Sequence, residues 1–169
     1  MKKKLLHSSK NFEKLESKLQ QITVRSANID DIDSIISLQN KTFPDDELAF
    51  NHDSLRKKIN DKSHYVLVAE YRNRFAGYAS LTDRCFRPWT GGDFLAVEQD
   101  FFGRGIGAKI MMTAFQRAKR PLMRVFVARS NMRARKLYKK LGFRSNGVRK
   151  AHYPNGEDAL VLIAFTGFG

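Results

Sequence analysis

The stretch FLAVEQDFFGRGIGA, residues 94–108, decides how this chain is read. A short apolar run that reads as a strand leads to Gly103, Gly105 and Gly107. Ile106, Ile110, Ala114 and Ala118 then recur at helical spacing, with Met111 and Phe115 widening the apolar stripe. Glycines let a backbone approach a ligand closely and adopt φ > 0. The free N–H groups and dipole of a helix start favour an anion, so this is a place to hold a phosphate. Two familiar phosphate loops do not fit. Gly103-x-Gly105-x-x-Ala108 formally matches a dinucleotide fingerprint, but that motif wants an acidic residue about 20 positions on. No acid occurs between Asp100 and Glu157, and five residues separate Val97 from Gly103. The pattern G-x-x-x-x-G-K-S/T is absent.

The same segment resembles the acetyl-CoA loop of the GNAT superfamily of N-acetyltransferases, Q/R-x-x-G-x-G-G/A after a Leu-x-Val strand end. Leu95, Val97, Gly105 and Gly107 match, while the Gln or Arg position is Phe102. Downstream, NMRARKLYKKLGF at 131–143 follows the superfamily block N-x-x-A-x-x-L-Y-x-x-x-G-F. Seven residues separate Asn131 from Tyr138, nearly two helical turns, so both can face one ligand. The resemblance implies acetyl-CoA as co-substrate. Its expected contacts are Leu95, Ala96 and Val97, the loop Phe102, Gly103, Arg104, Gly105, Ile106, Gly107 and Ala108, and Asn131 and Ala134. Arg104 is expected to supply the cation that Phe102 lacks. No metal is implied.

It further implies acetyl transfer to an amine by direct attack, without a covalent enzyme intermediate. Tyr138 is then the expected proton donor to a leaving thiolate of pKa about 8.5. In the ribosomal-protein α-N-acetyltransferase branch a Glu sits on the strand before the Asn, and its register here gives Phe126. Glu98 is the expected substitute base. An α-amine of pKa near 8 costs about 1.4 kcal/mol to deprotonate at pH 7, against about 4.6 for a lysine amine. A site without an evident strong base therefore matches an α-amine. The stretch RKAHYPNGEDA at 149–159 also resembles that branch, and puts His152 and Tyr153 where aromatics line the substrate groove. Phe43 opens an acidic loop, with Asp45, Asp46 and Glu47, where the family's first helix-helix loop covers the substrate.

Around these blocks the chain reads as strands at 22–27, 65–70, 75–81, 93–97, 122–128 and 159–165. Helices are expected from Ile29 to a stop at Phe43-Pro44, at 53–60, after the glycine loop, and at 131–141 with Gly142 as C-cap. Pro88, Gly91 and Gly92 read as a loop. Hairpins early and strand-helix units late predict one α/β domain at 21–169, GNAT-like, with a mixed central sheet flanked by about four helices. Residues 1–20 are expected to form a basic arm or short helix.

Composition narrows the partners. The 169 residues carry 31 Lys and Arg against 17 Asp and Glu, a net +14, and residues 101–156 hold 15 cations and no acid. An anionic partner for the second half follows: coenzyme A phosphates, with polyanion or ribosome contact as a further expectation. No apolar run approaches the roughly 20 residues of a membrane span. The single Cys85 excludes an intrachain disulfide, so a cytoplasmic protein is expected. Three functions stay open: acetylation of a protein N-terminus, acetylation of a small-molecule or lysine amine, and a catalytically impaired protein that binds acetyl-CoA, RNA or the ribosome.

Overall fold

The computed structural model describes residues 20–44, 49–83 and 86–166. Residues 1–19 of the expected arm or short helix at 1–20, the acidic run at 45–47 and Cys85 lie outside the described residues. The strands are β1 (Ile22–Ser26), β2 (His64–Tyr71), β3 (Arg74–Asp83), β4 (Trp89–Val97), β5 (Leu122–Ala128), β6 (Arg144–Arg149) and β7 (Ala159–Phe165). The helices are α1 (Ile32–Thr42), α2 (His52–Asn60), α3 (Ile106–Arg117) and α4 (Met132–Lys140). The expected mixed sheet and four flanking helices are present. None of these helices is long and apolar enough to cross a membrane.

One seven-stranded sheet runs in the order β1-β2-β3-β4-β5-β7-β6, and every neighbouring pair is antiparallel except β4 and β5. Its two faces bury separate cores. Ile106, Ile110, Met111 and Ala114 of α3, with Tyr138 and Phe143, cover one face over Leu67, Ala79 and Val125. Ile32, Ile35 and Leu38 of α1 and Leu55 of α2 cover the other, over Val68, Tyr78 and Phe94. Burial of such side chains contributes roughly 1.5–3 kcal/mol each. A buried Gln39 ties α1 to the segment before α2: its Nε2 donates to the Phe50 carbonyl and its Oε1 accepts from the Phe50 N–H, both at 3.0 Å. Asn51 then caps α2 reciprocally with Ser54.

Two expectations need correction. Gly91 and Gly92 lie inside β4, which begins at Trp89 rather than at Asp93. Their reason is close packing: a Cβ at Gly92 would meet Val125 Cγ1 at 2.7 Å across the parallel pair. The second correction is β6, which has no counterpart among the expected strands. All six of its residues are exposed, so no buried alternation marks it. It is an edge strand held by β7, and charge there discourages pairing with another chain.

Gly92→Ala is expected to destabilise the protein by about 1–3 kcal/mol, because a β-branched, buried neighbour has little room to yield. Gly91→Ala, whose Cβ would make only ordinary contacts, is the control and should unfold like the parent in denaturant titrations.

Candidate active site

The parallel ladder between β4 and β5 is short. It pairs Trp89 with Leu122 through Gly92 with Val125, and stops. Beyond it, residues 94–97 keep their partners on β3 and residues 126–128 keep theirs on β7, so the two strands present facing edges with no ladder between them. Backbone groups on such edges need a partner. A cleft of 560 Å³ opens at this point, lined by Leu95, Val127, Asn131, Ala134 and Tyr138, and by Phe43 and Tyr153 at its rim. Six of the sequence-derived site residues beyond the glycine loop thus meet in one cavity: Phe43, Leu95, Asn131, Ala134, Tyr138 and Tyr153.

Each is fixed by local structure. The Asn131 side chain accepts from the Ala134 N–H at 3.0 Å, so it is the N-cap of α4 as well as a cleft wall. Tyr138 follows two turns later on the same face and packs edge-on against Phe143 at 5.0 Å between ring centroids. Its hydroxyl makes no hydrogen bond among the described residues. Burial, and then the neighbouring Tyr153, push the phenol well above the ordinary tyrosine range. The missing side chain at Gly107 serves packing: a Cβ there would sit 3.2 Å from Leu137 Cδ2, so this glycine lets α3 pack on α4. Ala96 and Val97 are strand residues that line neither this cleft nor its neighbour; Ala96 is buried.

The glycine loop stands beside the cleft rather than in its lining. Gly103 and Gly105 take φ of 78° and 88°, and Gly105 is the left-handed N-cap of α3. Among the described residues, the N–H groups of Gly103, Gly105, Ile106, Gly107 and Ala108 have no recorded acceptor. A helix start leaves such donors free, and they suit an anion. The Ile106 side chain is buried in the core, so only its backbone is available. Arg104 is turned away: its guanidinium lies 5.0 Å from the Tyr71 ring centre and its Nη1 is 3.4 Å from the Tyr71 hydroxyl. The cation at the loop is instead Arg133 of α4, stacked on the Phe102 ring at 3.7 Å. Phe102 thus carries a guanidinium where a polar side chain was expected.

A second cleft of 670 Å³ shares Gly92, Asp93, Phe94, Phe126 and Tyr153 with the first. His152 lines it and sits between Phe126 and Tyr153, tilted to the first at 4.9 Å and edge-on to the second at 5.0 Å between ring centroids. Phe126 therefore belongs to a ring cluster. Glu157 holds this loop in place. Its carboxylate accepts from the Ser130 N–H and hydroxyl, and its carbonyl accepts from the His152 and Tyr153 N–H groups. The two hydrogen bonds from Ser130 keep the Glu157 carboxyl below its usual range. Glu98 lines neither cleft and lies 3.7 Å from Lys41 Nζ. Among the described residues, the carboxylate that lines both clefts is Asp93, at the point where β4 leaves β5, and it accepts from Thr82 Oγ1 at 2.6 Å. Sequence reading passed over Asp93 because nothing in the chain announces where two strands part.

A family model described as the acetyltransferase (GNAT) family matches residues 32–143, about two-thirds of the chain. The chain belongs to this acetyltransferase family. A candidate ribosomal protein bS18-alanine N-acetyltransferase of Bacillus subtilis is 31% identical over 150 residues, covering 82% of this chain and 92% of that protein. Among solved structures, the ribosomal-protein-S18-alanine N-acetyltransferase of Escherichia coli superposes with a TM-score of 0.72 at 17% identity, over 88% of this chain and 96% of that one. A candidate acetyltransferase of Salmonella typhimurium, solved with its cofactor acetyl-CoA, reaches 0.75 at 19% identity over the same shares. At these identities the structures speak for the fold. The two clefts of this GNAT N-acetyltransferase share the wall where β4 and β5 part.

The raised Tyr138 pKa sets a pH expectation for a reaction in which this phenol is the proton donor. A raised value keeps the phenol protonated to higher pH, so kcat/KM should climb as the amine loses its proton and show no descending limb below about pH 10. A pH-rate profile checks this, and Tyr138→Phe should lower turnover by about 10²–10⁴ without changing the ascending limb.

Proposed function

We propose that this chain transfers the acetyl group of acetyl-CoA to the α-amine of a protein or peptide N-terminus. The observation that carries this reading is the parting of β4 and β5, with Tyr138 in one cleft and Asp93 in the wall common to both. The likeness to the B. subtilis relative supports the class of acceptor.

The residues fit acetyl-CoA in chemical terms. A donor-rich glycine loop with Arg133 beside it suits the pyrophosphate, and the unpaired edges of residues 94–97 and 126–128 suit an extended amide-bearing arm. When bound, acetyl-CoA supplies an acetyl thioester. Asp93, directly or through a water, takes a proton from the attacking nitrogen. The amine forms its bond to the acetyl carbon as the carbon–sulfur bond breaks. Tyr138 hydrogen-bonds the sulfur as charge builds there, and its proton passes to the departing thiolate. The burial that raises the phenol also raises the basicity of a thiolate beside it, so this transfer stays matched. An α-amine asks least of the base, about 3.2 kcal/mol less than lysine at neutral pH by the difference in pKa.

Mass spectrometry of peptides incubated with the enzyme and acetyl-CoA tests the acceptor. A gain of one acetyl on the N-terminal nitrogen, with internal lysines untouched, is expected. Acetylation of lysine side chains or small polyamines in preference to N-termini would overturn the reading. Asp93→Asn should reduce kcat by about 10²-fold or more while acetyl-CoA affinity holds.

The cofactor contacts have their own check. Arg133→Ala should weaken acetyl-CoA binding by about tenfold, the scale of one charge-assisted hydrogen bond. Arg104→Ala, which removes a guanidinium held by Tyr71, should leave the dissociation constant within about twofold, as exposed pairs contribute little. Calorimetry distinguishes the two.

A further inference from the structure

The second cleft has a charge bias that acetyl transfer itself does not require. Among the described residues, Lys58, Arg87, Arg124 and Arg149 line it, against the single carboxylate of Asp93. Aromatic rings hold these cations in a row. The Arg124 guanidinium lies 4.2 Å from the Trp89 ring centre and 5.2 Å from that of Phe126. Arg87 stands 5.4 Å from Trp89 and Arg149 5.9 Å from Phe126, while Lys58 Nζ is 5.3 Å from Phe50. Among the described residues, no carboxylate lies within ion-pair distance of Lys58, Arg87 or Arg149. The rings beside Lys58, Arg87 and Arg149 orient a cation without neutralising it, so the positive charge of these three stays available to a ligand.

Resting on the reading of this site as an N-terminal acetyltransferase, we propose that its acceptor carries acidic side chains in the residues just after the reacting amine. The amine meets Asp93 at the junction of the two clefts, and the following residues run along the wall of Trp89, Arg124, Phe126 and Arg149. A peptide with lysine or arginine there meets like charge on a partly buried surface, and that repulsion discriminates strongly. The same wall disfavours a free polyamine.

Trp89 is the only tryptophan of the chain and stands in this wall, so its emission reports occupancy independently of turnover. The experiment titrates the full-length protein, with coenzyme A present, with peptides that differ only in Asp/Glu, Ser or Lys at the second and third positions. Acetylation of the same peptides is followed by mass spectrometry. The acidic peptides are expected to saturate the Trp89 signal at least about tenfold more tightly than the lysine ones and to be acetylated in the same order. The preference should shrink as salt rises. Arg149→Glu and Arg87→Glu, both at exposed positions, should each erode or reverse it without altering coenzyme A affinity. Equal binding of all three peptide classes, or a preference for lysine, overturns the inference and leaves N-terminal acetylation standing. Tight binding of acidic peptides with no acetylation overturns both, since a bound peptide that is not acetylated is not an acceptor. Peptides that neither bind nor react overturn both.

Discussion

Everything at the active site depends on a four-residue parallel ladder that stops. Trp89 to Gly92 pair with Leu122 to Val125, and beyond that point β4 is tied to β3 while β5 is tied to β7. The strands are thus held apart by their outer neighbours, and the gap is a property of the sheet rather than of any loop. A sheet that ran fully paired here would have no unpaired edges and no wall shared by two clefts. Gly92 lets the ladder close tightly just before the break, with Val125 where a side chain would otherwise stand.

The helices on one face turn this gap into a site with polarity. Gly105 starts α3 in a left-handed cap, leaving free N–H groups at one end, and Gly107 brings α4 close enough for Tyr138 to reach the cleft. Asn131, capping α4, sets that helix's start and so the position of Tyr138 two turns on. Glu157 performs a similar task from the other side, bonding both Ser130 and the loop that carries His152 and Tyr153. The cations of the acid-free second half are divided by this architecture. Arg133 stands at the glycine loop, and Arg124 and Arg149 stand in the second cleft.

Much of this was legible in the sequence where burial imposes a pattern. The strands at 122–128 and 159–165 have the expected bounds, because alternate or continuous apolar residues face packed layers on those strands. The glycine loop and the Asn131 to Phe143 block were legible because backbone conformation and helix capping constrain residue type there. Exposed β6 carries no such pattern, since its pairing depends on β7 and not on its own side chains. Asp93 was hidden for a related reason: whether a carboxylate on a strand meets solvent or a substrate depends on where that strand loses its neighbour. Glu98 looked equivalent in sequence but falls past the strand end, beside Lys41. Arg104 and Arg133 exchange roles because Tyr71, distant in sequence, offers Arg104 a ring face.

Amide hydrogen exchange with and without acetyl-CoA tests the central claim most directly, since the unpaired edges beyond the β4–β5 ladder are where the account puts the co-substrate. Slower exchange confined to residues 94–97, 103–108 and 126–128, with the helices α1 and α2 unchanged, is the predicted result. Protection absent from those edges, or concentrated on the outer strands β1 and β6, would contradict it.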